Sequence, residues 1–532
     1  MAHDCCYQVI THLKKQVEPD SWQSLVCTPF DPQDEGSDVL LQRFDFVRII
    51  CKFKERGSTQ TREEFRLNIP LEPPHVRKKI QYWIDHSSQG ALPPNVLILG
   101  LDSVSRRRFH NSFPVSRSLL MKYGFSDMKG FHIVGPKTLD NILPLVMGIT
   151  KADLIEVCSH RWQSYWDNCP FIWKEFKQAN YVTLYAEDIP DTFNYGNQLG
   201  FETQPTDYYF RPLLLEKAKY DGDPYCFGNK TTSELLLEYV GKFVEKFRQF
   251  STPFFAFSWL NLQRLTDDQT DKILSNFFAK IKLEQLTENT LVLILSDHGL
   301  QTGPLRQGLE GYLDHRLPML FIKLPNSFSQ FESALEKNSL ELISPLDIYK
   351  TLKDVLLLKN TNFSIDSRDG NGIRGLLKVK ENRTCMEAGV DIQWCTCNAQ
   401  VTQGKPNPSL WITRFVKQEK LVAIAMKKLN EMVQLQKEAL MLPSSHSDLC
   451  PEFFFESISY VGKTGGNMNA SVTSQDVNSI VLGIQVIPQY AQFEVFLQMK
   501  QGKWQVLLPI LRTDTNKGYI FCLKANKKII HS

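Results

Sequence analysis

The chain runs to 532 residues, too many for one typical core, so two or three domains are expected. A hydrophobic share of 42% and a charged share of 22% are ordinary for a globular protein, and a net charge of +3 gives no argument for nucleic acid or a membrane surface. No apolar run approaches the roughly 18 residues of a membrane span.

In chain order, residues 1–90 read as a small β-rich module. Residues 44–53 have strand composition, the charged residues 54–64 suggest a loop, and Pro73-Pro74 precedes a helix at 75–86. A short hinge at 90–94 leads into an α/β domain covering 91–377. There strand candidates (96–101, 181–185, 254–259, 290–295 and 318–322) alternate with helix candidates (139–147, 172–178, 233–250 and 270–282). Pro345 opens a further helix, with Ser344 placed to cap it. Residues 378–532 form an α+β appendage: a Cys/Trp cluster from Cys385 to Cys397, an amphipathic helix at 412–437, and strand-like runs at 479–486 and 493–499. No internal repeat is present.

Two runs stand out. Asn95 to Leu101 is apolar almost throughout and ends in Asp102-Ser103; Leu291 to Leu295 ends in Ser296-Asp297-His298-Gly299. Uninterrupted apolar runs of this length suit strands buried on both faces, as in a parallel sheet. Ligands in open α/β sheets gather at the carboxyl ends of such strands. Two carboxylates and an imidazole delivered there suit a divalent metal. An isolated Asp102 could equally cap a helix. Adjacent Asp297 and His298 point apart unless a turn redirects them, and Gly299 offers that freedom.

Between the two runs, Gly135-Pro136-Lys137-Thr138-Leu139-Asp140-Asn141 opens a helix. Thr138 either caps it or offers a hydroxyl that binds the metal, is deprotonated by it, and attacks phosphorus or sulfur beside the helix N-terminus. Arg106, Asn141 and Glu187 are candidate substrate-binding residues. Arg106 would bind an anion or pair with Asp102 or Glu187, and Glu187-Asp188 follows the strand at 181–185 toward the same sheet edge.

Twelve cysteines, none in a Cys-x-x-Cys pair, favour an oxidising compartment, as do sequons at Asn229, Asn362, Asn382 and Asn469. The Cys385/Cys395/Cys397 cluster lacks a fourth close ligand for zinc, so disulfides fit it better. The N-terminus, Met1 to Cys6, lacks the apolar core of a signal peptide. The expectation is therefore a secreted or lumenal protein whose leader lies outside this sequence; the alternative is a cytosolic one with unpaired buried thiols.

The strand-end Asp102, the helix-initial Thr138 and Ser296-Asp297-His298-Gly299 together resemble the alkaline phosphatase-like superfamily. More closely, the chain is similar to the animal family catalogued as domain of unknown function 229. The resembling segments are 99–106, Tyr185 to Asp188, Gln204 to Tyr209, 296–299, Arg316-Leu317-Pro318, Pro345 to Ile348, and Arg383 to Cys385 through Trp394 to Cys397.

The resemblance implies a doubly wound, mostly parallel sheet flanked by helices. It also implies one metal, zinc or manganese, held by Asp102, Thr138, Asp297 and His298, with Thr138 forming a covalent phospho-enzyme. Two-metal relatives use an Asp-x-x-x-His pair and a later His. Here the segment 258–264, where the related family tends to place His-Asp, has neither, leaving Asp267, Asp268, Asp271 and His315 nearby. Asp271 and His315 are the candidate second site, although His315 beside Asp314 also reads as a solvated surface histidine. The sulfatase signature Cys/Ser-x-Pro-x-Arg has no counterpart in Thr138 to Ile142, which argues against a formylglycine sulfatase. The expected function is a metal-dependent phosphoester hydrolase or phospho-group transferase. The alternative is a degenerate scaffold that binds a glycan, lipid head group or protein.

Overall fold

Every residue of Asn95–Leu101 and of Thr290–Leu295 is buried, which for a strand requires cover on both faces. In the computed structural model the two strands lie side by side and parallel, Leu291 opposite Val96 and Leu295 opposite Gly100. The structure describes residues 4–12, 22–24, 26–32, 40–55, 58–86, 92–159, 164–190, 192–194, 199–218, 225–227, 230–262, 265–306, 308–357, 375–379, 381–397, 399–403, 418–439, 451–463 and 479–515.

Among the described residues the central sheet has seven strands in the order Ser126–Asp127, Leu320–Lys323, Thr290–Leu295, Asn95–Leu101, Phe254–Leu260, Val182–Glu187 and Tyr208–Tyr209. Only Leu320–Lys323 runs antiparallel to its neighbours; the other pairings are parallel. Strand alternation divides the first strand between two cores. Leu97, Leu99 and Leu101 pack with Val240, Phe243 and Phe247 of the helix Thr232–Gln249. Val96 and Ile98 pack with Ile142, Trp173 and Leu352 from helices on the opposite face. This is the expected α/β architecture, a mostly parallel sheet sandwiched by helices, and it carries the carboxyl ends of four strands to one edge.

The N-terminal residues form a separate antiparallel sheet built on Asp4–His12, Phe46–Glu55 and Ser58–Leu67. The charged stretch expected as a loop at 54–64 is mostly strand. Its residues Thr61 to Glu64 are exposed, because an edge strand with a solvated side tolerates charge that a central strand would not. Arg48 of the neighbouring strand reaches across to Glu63 at 2.7 Å. Disulfides Cys5–Cys51 and Cys6–Cys27 staple this sheet.

The C-terminal sheet has five antiparallel strands: Gln400–Gln403, Phe454–Lys463, Ser479–Ile487, Ala491–Lys500 and Lys503–Arg512. The amphipathic helix runs over Gln418–Ala439; residues 412–417 of the predicted helix lie outside the described residues. Leu421, Ala425, Leu429 and Val433 recur at four-residue spacing and bury against Ile480, Leu482 and Ile484. Among the described residues no helix is long and apolar enough to cross a membrane.

Candidate active site

Where the strand Asn95–Leu101 ends, the Asp102 amide donates to Leu260 O at 2.8 Å. Ser103 then takes a left-handed backbone, φ 60°. That turn points the Ser103 amide at Asp297 Oδ1, 3.0 Å away, while its hydroxyl donates to Asp102 Oδ1 at 2.6 Å. The cap of the following helix is Ser105, whose Oγ accepts from the Arg108 amide at 3.0 Å. Asp102 is thus released from capping and keeps Oδ2 for the site.

Asp297 and His298 follow the neighbouring strand directly. Ser296 Oγ donates to Asp297 Oδ1 at 3.3 Å. His298 Nδ1 lies 2.8 Å from Gly299 O, and a carbonyl only accepts, so Nδ1 carries the proton and Nε2 presents its lone pair. Gly299 is required for space rather than for a left-handed turn: a Cβ there would sit 1.9 Å from Asp314 O.

Thr138 begins the helix Thr138–Met147 without capping it. The loop before it is organised by Asn141, whose Oδ1 accepts from the amides of Val134 (2.8 Å) and Gly135 (3.3 Å). Asn141 Nδ2 donates to the carbonyls of Gly135 (2.8 Å) and Lys137 (3.0 Å), and Asp140 takes the Lys137 amide at 3.2 Å. The Thr138 hydroxyl is therefore left to point inward. Its Oγ1 donates to Asp102 Oδ2 at 3.0 Å and stands 3.3 Å from His298 Nε2.

The result is a crowd of acceptors. Ligand atoms of Asp102, Asp297 and His298 all lie within 4.8 Å of one another. Asp297 Oδ2 faces His298 Nε2 at 3.1 Å, yet it is buried and, among the described residues, finds no hydrogen-bond donor. Burial, with the Asp297 carboxylate beside it, pushes the Asp102 carboxyl up to about 6. An orphaned carboxylate oxygen, a second carboxylate and a lone pair meeting at one point fit a bound cation. Two carboxylates, an imidazole nitrogen and a hydroxyl are hard and borderline donors of the kind zinc or manganese accepts.

Residues 2–458 match the family described as Protein of unknown function (DUF229). The chain belongs to this family. A search of curated proteins finds no match. Among solved structures, the chain is similar to a protein in the alkaline phosphatase superfamily from Vibrio parahaemolyticus (12% identity, 85% of this chain and 94% of that one, TM-score 0.35). The lipoteichoic acid synthase LtaP from Listeria monocytogenes matches at 16% identity over 53% of this chain and 75% of that one, TM-score 0.36. The phosphonate monoester hydrolase SpPMH from Silicibacter pomeroyi matches at 11% identity over 77% and 89%, TM-score 0.37.

Most of the other candidates from the sequence have partners of their own. Asp271 accepts the amides of Val115 (2.9 Å) and Ser116 (2.7 Å), anchoring the start of the helix Pro114–Lys122 rather than a second metal. His315 is neither solvated nor among the grouped ligands. It is 1% exposed, its ring lies 5.9 Å from that of His298, and burial beside Arg306 and Arg316 holds it well below the usual imidazole range. Arg106 pairs with neither Asp102 nor Glu187; it forks onto Asp127 at 2.9 and 2.6 Å. Asn141 spends its amide on the loop before Thr138, holding that backbone in place. Glu187 is buried and accepts from the Thr192 amide at 3.1 Å, while Asp188 takes Ser233 Oγ at 2.6 Å and the Asn261 amide at 2.7 Å.

Ser103 and Ser296 stood in the two strand-end motifs without a site role, and Gln301 was not singled out. Gln301 Nε2 lies 2.8 Å from both His298 Nε2 and Pro136 O. Their only signal was proximity to Asp102 and His298. In the cysteine cluster Cys385 bonds Cys395, and Cys397 Sγ rests 3.7 Å from Cys385 Sγ.

Proposed function

We propose that this chain is an alkaline phosphatase-like, metal-dependent phosphoester hydrolase or phospho-group transferase with Thr138 as nucleophile. The observation that carries the reading is the convergence of the inward Thr138 hydroxyl with Asp102, His298 and the donorless Asp297 Oδ2. Asp102, Thr138, Asp297 and His298 would hold one zinc or manganese ion. When bound, that ion would acidify the Thr138 hydroxyl and offset charge on the phosphoryl oxygens.

The chain's own groups do the rest. Thr138 sits in the first turn of its helix, so an incoming phosphoryl group meets unpaired backbone N–H donors and the positive end of the helix dipole. Attack forms a bond from Thr138 Oγ1 to phosphorus and breaks the bond to the leaving oxygen. Water or an alcohol then takes the phosphoryl group from Thr138, giving hydrolysis or transfer. The Nδ1 to Gly299 bond holds His298 with Nε2 toward Thr138 throughout. Four disulfides among the described residues and the exposed sequon Asn382 support a secreted or lumenal, glycosylated protein.

The test is metal analysis of the purified protein followed by a panel of aryl phosphates, phosphodiesters and sulfate esters. Stoichiometric zinc or manganese, with phosphoester turnover lost on chelation and in Thr138→Ala, is expected. Full activity in Thr138→Ala overturns the nucleophile. No metal and no turnover of any ester overturns the enzyme and leaves the binding scaffold.

A further inference from the structure

The loop that presents Thr138 is held from outside its own element. The Pro136 carbonyl, two residues before the nucleophile, accepts from Gln301 Nε2 at 2.8 Å and from His315 Nε2 at 3.4 Å. The same Gln301 amide touches His298 Nε2. Gln301 and His315 together therefore set the spacing between the Thr138 loop and the imidazole.

Both supports lead to one residue on a different sheet. Arg306 Nε donates to the Gln301 carbonyl at 3.2 Å, and Arg306 Nη2 reaches Glu494 Oε2 at 3.4 Å. Arg316, next to His315, donates from Nη2 to Glu494 Oε1 at 2.7 Å. Tyr460 completes the carboxylate with a 2.6 Å bond to Oε2. Glu494 and Tyr460 belong to the C-terminal sheet, and the carbonyl of Thr513, just after its last strand, takes the Gly303 amide at 2.8 Å. The side chains of Arg306, Arg316 and Glu494 are only 1%, 1% and 2% exposed.

Two guanidinium groups and one carboxylate taken out of water are a costly way to join two layers. Apolar contacts of Tyr312 with Val481 and Phe496 already join them at the same place. What the charged cluster adds is direction. It fixes both the Gln301 arm and the His315 arm relative to a single carboxylate.

We propose that Glu494 is the positioning residue through which the C-terminal sheet fixes the Thr138 loop against His298. The sheet is then part of the phosphoryl-transfer site. This rests on the function proposed above for Thr138, and the experiment separates the two.

The experiment uses the full chain as wild type, Glu494→Gln, Gln301→Ala and the double variant. It reads zinc affinity by competition with a chromogenic chelator, kcat and KM on an aryl phosphate ester, and thermal melting. Glu494→Gln should weaken zinc binding and lower kcat about tenfold each, with KM moving less than about threefold. Gln301 is exposed, so Gln301→Ala should do part of this without changing the melt, and the double variant should be no worse than Glu494→Gln. A Glu494→Gln protein that melts earlier but keeps zinc affinity and kcat within about twofold overturns the proposal and makes the cluster a strut. If the wild type turns over no ester, the function reading fails while zinc affinity still decides the positioning. If Glu494→Gln does not fold, Gln301→Ala decides alone: unchanged zinc affinity and kcat overturn it.

Discussion

The carboxyl edge of the central sheet carries acidic side chains at two places, and only one of them forms a site. On the strands Asn95–Leu101 and Thr290–Leu295, Asp102 and Asp297 face each other across a hydroxyl and an imidazole lone pair, with one carboxylate oxygen left, among the described residues, without a donor. Beyond Phe254–Leu260, Glu187 and Asp188 end their strand in the same topological position. There the amides of Thr192 and Asn261 and the hydroxyl of Ser233 consume the carboxylates. What distinguishes the first end is that donors reach Asp102 and one oxygen of Asp297 but leave Asp297 Oδ2, among the described residues, facing the His298 ring.

The sharpest way to break this comparison is Thr138→Ala. Turnover should fall on the order of a thousandfold or more with the melting temperature little changed, because the hydroxyl bonds only inward. Asp297→Asn should abolish stoichiometric metal, measured by elemental analysis, whereas Glu187→Gln should leave metal content intact. Metal loss in the second variant would merge the two ends into one site. Asn141→Ala removes four hydrogen bonds from the loop before Thr138. It should cost about 2–4 kcal/mol in denaturant titration and lower activity as well.

The Glu187 end has its own pH signature. Burial raises its carboxyl from 4.5 to about 7, so folding prefers the protonated form. The stability it allows is full below pH 4.5 and is lost as pH rises through about 7. Glu187→Gln should therefore flatten the melting temperature against pH across that window; an unchanged slope counts against it. The smallest effect belongs to Arg106→Ala. Its ion pair with Asp127 is partly exposed, so about 0.5 kcal/mol of stability and no activity should be lost.

Much of the central domain was legible because its strands are uninterrupted apolar runs and its chemistry follows them within two residues. Asp102, Thr138, Asp297 and His298, proposed from sequence as one ligand set, are brought together. Less was legible where partners lie far apart in the chain. Nothing near Arg106 announces Asp127 as its partner, and Arg306 meets Glu494 across 188 residues. Asp271 read as a ligand because helix-capping and metal-binding carboxylates look alike until the amides of Val115 and Ser116 are seen. The strand Ser58–Leu67 was hidden by its charges, which an edge position permits.

A phosphoryl group carried by Thr138 is the step on which the proposed function turns. The most direct measurement is mass spectrometry of the metal-loaded protein, acid-quenched during turnover of an activated aryl phosphate ester and digested. A phosphoryl adduct on the peptide containing Thr138, absent from Thr138→Ala, is predicted. Turnover with no adduct on that peptide, and with activity retained in Thr138→Ala, would contradict it.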